Sequence, residues 1–185
     1  MRYVNMLVAV ALLAVGAPAV KAADAGQGFW VTPTIPGYGK MHPLPRAAYK
    51  PSAGQTYRIV FALTASAKTP AEVNPALDRV ARTVNLYVAS GVPLRRLKFV
   101  AVAYGPATPL ALDDAQYRAA YGIPNPNLPL IALLRKAGVD VAVCGQAVAE
   151  HKFQYDWVDP SVTLALSALT TITSLEQQGY HLMPL

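Results

Sequence analysis

"LKFVAVAYG", residues 97–105, decides the fold class. After Lys98 it runs Phe99, Val100, Ala101, Val102 and Ala103 without a polar break, so it lacks the in–out alternation of a strand that shows one face to water. Such a run fits a strand covered on both faces, as in a parallel sheet with helices above and below. A second run of this kind, "GVDVAVCGQAV" at residues 138–148, predicts a strand over Val139–Cys144 and holds the only cysteine in the chain. The pleat sends Val139, Val141 and Val143 one way, and Asp140, Ala142 and Cys144 the other.

Outward from these two runs, strands and helices alternate. "YRIVFAL", Tyr57–Leu63, is β-branched and aromatic and predicts the first strand. Asn74 and Pro75 read as N-cap and first-turn proline of a helix. Leu77, Val80, Ala81, Val84 and Val88 fall on one face of it, Gly91 is its stop, and Asp78 and Arg82 stand at the i,i+4 spacing of an outer-face ion pair. A short helix over residues 113–121 and the turn-rich "GIPNPN" follow, with Asn127 set to cap a third helix through Leu128–Ala137 that Gly138 closes. Near the end, Val162–Ala165 reads as a short strand. Leu166, Leu169, Ile172 and Leu175 then make a helical stripe stopped at Gly179, and "YHLMPL" a last strand. This alternation predicts an α/β protein, a three-layer α/β/α sandwich with a mostly parallel sheet of about five strands.

The N-terminus is of another character. Arg2, the apolar run Met6–Val15 and the small residues Val20 and Ala22 predict a secretory signal over residues 1–22, and with it an exported, periplasmic location. The run is shorter than the roughly 20 residues of a membrane span, and Gly16 and Pro18 break it, so no stable membrane insertion is expected. Residues 23–54 are dense in Pro, Gly and aromatics without any period and read as an extended arm. Trp30, Tyr38, Met41 and Tyr49 give this arm enough adhesive surface to dock on its own domain or on a neighbouring subunit. Residues 55–185 remain as one domain of ordinary size. A single cysteine makes no internal disulfide, which leaves a thiol that is buried and inert, reactive, or bridging to another chain.

Several chemistries are disfavoured by what the chain lacks. The formal charge of +6 falls to +4 once Arg2 and Lys21 leave with the signal. Only Arg95, Arg96 and Lys98 cluster, and without interleaved aromatics or a basic helix they read as a solvated loop, with no nucleic-acid partner. His42, His151 and His181 lack metal-ligand spacing. There is no Walker sequence or dinucleotide fingerprint, and the "GYG" at residues 37–39 neither follows a strand nor opens a helix. No metal or cofactor is therefore expected.

In open parallel sheets ligands bind beyond the carboxyl ends of the strands. Here those ends are Thr64–Ser66, Tyr104–Gly105 and Cys144–Gly145, which makes Cys144 the candidate reactive group and Tyr104, Gly105, Gly145 and Gln146 candidate pocket residues. Gly145 permits a tight turn and "QAVAEH" begins a helix, so the thiol would sit before unpaired N–H groups at a positive dipole end, which favour the nucleophilic thiolate. His151, seven residues on, is a candidate proton partner, with a surface histidine beside Lys152 as the competing reading. Cys144, His151 and Asp156 have the residue types of a cysteine-hydrolase triad, without a nucleophile-elbow motif. Against any role stands the habit of free cysteines to pack as small buried hydrophobes.

Four stretches in order, "NPALDRVARTVNLYVASGV", "VAYGPATPLAL", "NPNLPLIALLRKAGVDVAVCGQAV" and "LALSALTTITSLEQQGYHLMPL", resemble the DsrE/DsrF-like family, in particular its exported members. The similarity spans about Tyr57 to Leu185, and "VCGQA" with the "NPN" turn is its most specific part. The resemblance implies a compact α/β/α domain that assembles into trimers or hexamers. It also implies that a strand-end cysteine, matching Cys144, accepts sulfane sulfur as a persulfide and passes it to a partner protein. Such a protein is a carrier more than a turnover enzyme. Asn125 and Asn127 belong to the resembling motif and join the candidate pocket, although turn and cap chemistry accounts for both. The rival expectation is a non-catalytic homo-oligomeric binding or assembly module with an inert buried cysteine.

Overall fold

The computed structural model describes residues 29–185; the predicted signal at residues 1–22 and the first residues of the arm lie outside them. Five strands form one sheet in the order β4-β3-β2-β1-β5, every pair parallel. They are β1 (Tyr57–Leu63), β2 (Leu97–Ala103), β3 (Asp140–Cys144), β4 (Thr163–Ala165) and β5 (His181–Pro184). Between them run α1 (Pro75–Ala89), α2 (Asp114–Tyr121), α3 (Leu128–Lys136), α4 (Gly145–Glu150) and α5 (Ala168–Gln177). The apolar run Leu97–Ala103 is the middle strand, and helices cover both of its faces.

The two faces are unequal. Ile59, Phe61 and Leu63 of β1, Phe99 and Ala101 of β2, and Val141 and Val143 of β3 pack against Leu77, Val80 and Val84 of α1 and Leu130, Ile131 and Leu134 of α3. Phe61 and Phe99 meet edge to face at 5.3 Å. Each such large side chain removed from water is worth roughly 1.5–3 kcal/mol, so this layer carries most of the stability. The opposite face holds a smaller cluster of Val60, Val102, Ala142, Cys144, Ala147 and Ala168, against which Ile172 and Leu175 of α5 rest. The pleat is therefore as expected, with the valines of β3 in the main core and Ala142 and Cys144 behind it.

The stripe on α5 is only half used. Ile172 and Leu175 are half-buried, whereas Leu166 is 73% and Leu169 79% exposed. The helix begins only at Ala168, so Leu166 precedes it, and one helix does not cover the whole of a five-stranded sheet.

The arm lies on its own α1. Asn85, fully buried in the middle of that helix, accepts the N–H groups of Thr34 and Ile35 and donates to the carbonyls of Tyr38 and Gly39, all within 2.9–3.0 Å. Asp78, expected to pair with Arg82, instead accepts the Gly39 N–H at 2.7 Å. A side chain at Gly39 would stand 2.2 Å from the Arg82 backbone nitrogen, and its φ of +61° is itself a glycine conformation, so only glycine lets the arm approach the helix this closely. Ile35 and Met41 are buried as a result.

Candidate functional site

The chain leaves β3 and β4 toward opposite faces. After Cys144 it enters α4, whose Val148 joins the main core; after Ala165 it enters α5, which lies on the other face. Adjacent parallel strands whose connections diverge in this way open a crevice at their carboxyl ends, the usual place for a ligand in such sheets. Cys144 pairs with Ala165 at that divergence. It is also the N-cap of α4: the Ala147 N–H donates to its sulfur at 3.4 Å, and its thiol faces the Ser167 hydroxyl at 4.0 Å. Ser167 in turn caps α5 by accepting the Leu169 N–H at 3.2 Å. Two cap side chains thus meet at one point, both from buried residues, Cys144 at 5% and Ser167 at 8% exposure.

Gly145 is needed here for space. A Cβ on it would stand 2.9 Å from the Ala165 carbonyl oxygen, so glycine lets the start of α4 pass against the end of β4. The exposed Gln146 reaches across the same gap and donates to the Leu166 carbonyl at 3.2 Å. Tyr104, half-buried, packs on the cluster that contains Cys144, while Gly105, at a φ of +55°, turns the chain away.

The other candidates gather elsewhere. Gly105, Asn127 and His151 line a cavity of about 510 Å³ at the carboxyl ends of β1 and β2, whose core-facing residues Ala107 and Leu110 belong to the main core and not to the cysteine's cluster. The His151 Nε2 donates to the Gly105 carbonyl at 3.0 Å and the ring stacks on Phe153. The structure pairs neither His151 nor Asp156 with the thiol, so the residue types of a hydrolase triad are present without its hydrogen bonds. Among the described residues no group of three or more His, Cys, Asp or Glu side chains is placed to hold a metal ion.

The asparagines form a relay of buried amides. Asn125 donates to the carbonyls of Leu110 and Leu112 and accepts both N–H groups that Asn127 offers it. Asn127 stands at the N-cap of α3, but its side chain makes no cap bond there; its amide Oδ1 accepts the Asn74 N–H at 2.7 Å. Asn74 caps α1 through Ala76 and Leu77 and donates to the Ala65 carbonyl at 2.8 Å. The relay ties the loop after β1 to the segment after β2 and to the start of α3. Asp114 is joined to it by accepting the Asn125 N–H at 2.9 Å; that bond and Arg118 hold its carboxyl below the ordinary value of 3.8.

Sequence reasoning missed Ser167, although a serine just before an apolar helical run is a cap signal. It also missed the joint role of Asn74, Asn125 and Asn127, which lie up to 53 residues apart and meet only through the topology.

A family model described as the DsrE/DsrF-like family matches residues 57–185. No curated protein matches the chain. Among solved structures it is similar to a protein of unknown function, MTH1491 from Methanobacterium thermoautotrophicum, with 16% identity and a TM-score of 0.49 over 70% of this chain and 99% of that one.

Proposed function

The chain belongs to the DsrE/DsrF-like family, and from that premise we propose that it is an exported, homo-oligomeric carrier of sulfane sulfur, with Cys144 as the carrying residue. The observation that carries the reading is the seat of the thiol at the divergence of β3 and β4, with the Ala147 N–H directed at its sulfur. An N–H donor at that distance steadies negative charge on sulfur, whether thiolate or persulfide. In the loading step a Cys144 thiolate attacks a polysulfide dianion; a sulfur–sulfur bond forms at Cys144, one in the donor breaks, and the donor leaves as a dianion shorter by one sulfur. Transfer to an acceptor thiolate of a partner protein reverses the roles. Tyr104, Gly145 and Gln146 border the thiol, and Ser167 is its hydroxyl neighbour.

The homo-oligomer, trimer or hexamer, is supported by the apolar side chains left exposed at the thiol's edge of the sheet, Leu164, Leu166 and Leu169. Export rests on the residue pattern of the first 22 positions.

The burial of Cys144 in an apolar cluster favours one rival, a binding or assembly module with an inert thiol. Thiol titration separates the two. Under the carrier reading Cys144 reacts with a small disulfide reagent in the native protein; a thiol that reacts only after denaturation assigns the chain to the rival class.

A further inference from the structure

We propose that the cavity at the carboxyl ends of β1 and β2 is a binding site for a small flat apolar molecule bearing a primary amine, separate from the sulfur chemistry at Cys144. Its volume of about 510 Å³ lies within the range of small-molecule sites. The walls are the rings of Pro70, Pro106, Pro109, Tyr117 and Tyr121 with the aliphatic Leu110 between them, a rigid apolar lining suited to a flat body.

The walls are fixed before any ligand arrives. Tyr117 donates its hydroxyl to the Pro70 carbonyl at 2.8 Å, and burial pushes its phenol up, which keeps that proton in place. His151 ties the far side to Gly105, and the relay of Asn74, Asn127 and Asn125 joins the loop after β1 to the segment after β2. Pre-formed walls lower the ordering cost of binding.

The polar groups of the cavity decide the ligand's charge. No lysine or arginine lines it, and Glu72, at its edge, has no ion-pair partner among the described residues. Because a carbonyl only accepts, Nε2 of His151 must carry the proton it gives Gly105, so that N–H is already taken up by the wall. The site therefore offers a free carboxylate to a donor. The chain as a whole is basic, so its general field draws anions, and a preference for an amine has to come from this local arrangement.

The experiment titrates the full chain with phenethylamine, phenethyl alcohol and phenylacetate, three probes of nearly equal body and different charge, and follows the amide NMR spectrum. Phenethylamine should shift amides of residues 64–74 and 105–111 and of Tyr117 and Tyr121, and bind about fivefold more tightly than the alcohol, as one half-solvated ion pair allows. Phenylacetate should bind weakest. Glu72→Gln should bring the amine to the level of the alcohol, Tyr121→Ala should weaken all three probes, and Cys144→Ser should leave all three unchanged. Phenylacetate binding as tightly as the amine, no effect of Glu72→Gln, shifts confined to other surfaces, or no shifts at all would each overturn the proposal. Failure of the sulfur reading would leave these results untouched.

Discussion

Replacing Asn85 by leucine, nearly the same size, should release the arm. Four backbone groups of the arm depend on that one amide. If the arm stays docked, the Ile35 N–H and the Gly39 carbonyl, both in buried residues, lose their partners at roughly 1–3 kcal/mol each, or about 2–6 kcal/mol together. If the arm lifts instead, the loss is limited to the docking it gives up. That is chiefly the burial of Ile35 and Met41 at roughly 1.5–3 kcal/mol each, less the chain entropy regained. Both routes lead to a loss of about 3 kcal/mol, large against a total stability of roughly 5–15 kcal/mol. Urea unfolding measures the loss, and limited trypsin digestion distinguishes the routes, because Lys40 stands between the buried Gly39 and Met41 and becomes cleavable only when the arm lifts. A loss below about 0.5 kcal/mol with the arm as resistant as in the parent would refute the reasoning. Gly39→Ala attacks the same contact from the other side and should reproduce the release.

Three further outcomes follow from the geometry. Gly145→Ala places a methyl group against the Ala165 carbonyl, so it should destabilise the fold by about 1–3 kcal/mol and raise the native alkylation rate of Cys144; unchanged values of both would contradict the tight passage. Asn127→Leu leaves the Asn74 N–H unpaired in a buried place and takes one of two donors from the Asn125 amide oxygen, which should cost about 1–3 kcal/mol in urea unfolding, and a neutral result would mean that the relay is dispensable. Asp114 has a folded pKa below its ordinary value, so its contribution is whole above that value and fades as the pH falls through the depressed one. Asp114→Asn should therefore lose less stability than the parent as the pH is lowered below the ordinary carboxylate value of 3.8, and parallel curves would contradict the assignment.

The architecture was legible because it rests on local periodicity. The unbroken apolar run of β2, the Asn74–Pro75 cap and the glycine stops each carry their meaning within a few residues, and the strand pleat followed from a period of two. What failed depended on partners far away in sequence. Asp78 has Arg82 at helix spacing, yet a backbone N–H from the arm 39 residues earlier claims it. Asn127 occupies the cap position of α3, but its side chain serves Asn74. Periodicity likewise placed Leu166 and Leu169 on one stripe without showing how little of the sheet α5 covers. For the candidate site, strand ends placed Cys144 at the carboxyl edge of the sheet, where the structure has it, and its neighbours Tyr104, Gly145 and Gln146 are near it in space. Gly105, Asn127 and His151 belong to a different cavity on the same edge, since a sequence pattern gives the edge of a sheet and not its face.

The central claim is sulfur uptake at Cys144, and intact mass of the native chain before and after treatment with polysulfide tests it most directly. The account predicts a gain of one sulfur atom, mapped to the Cys144 peptide, removed by a reductant and prevented by prior alkylation. A native protein that gains no sulfur, with a thiol that reacts only once the chain is unfolded, would contradict it and leave Cys144 as a packing residue.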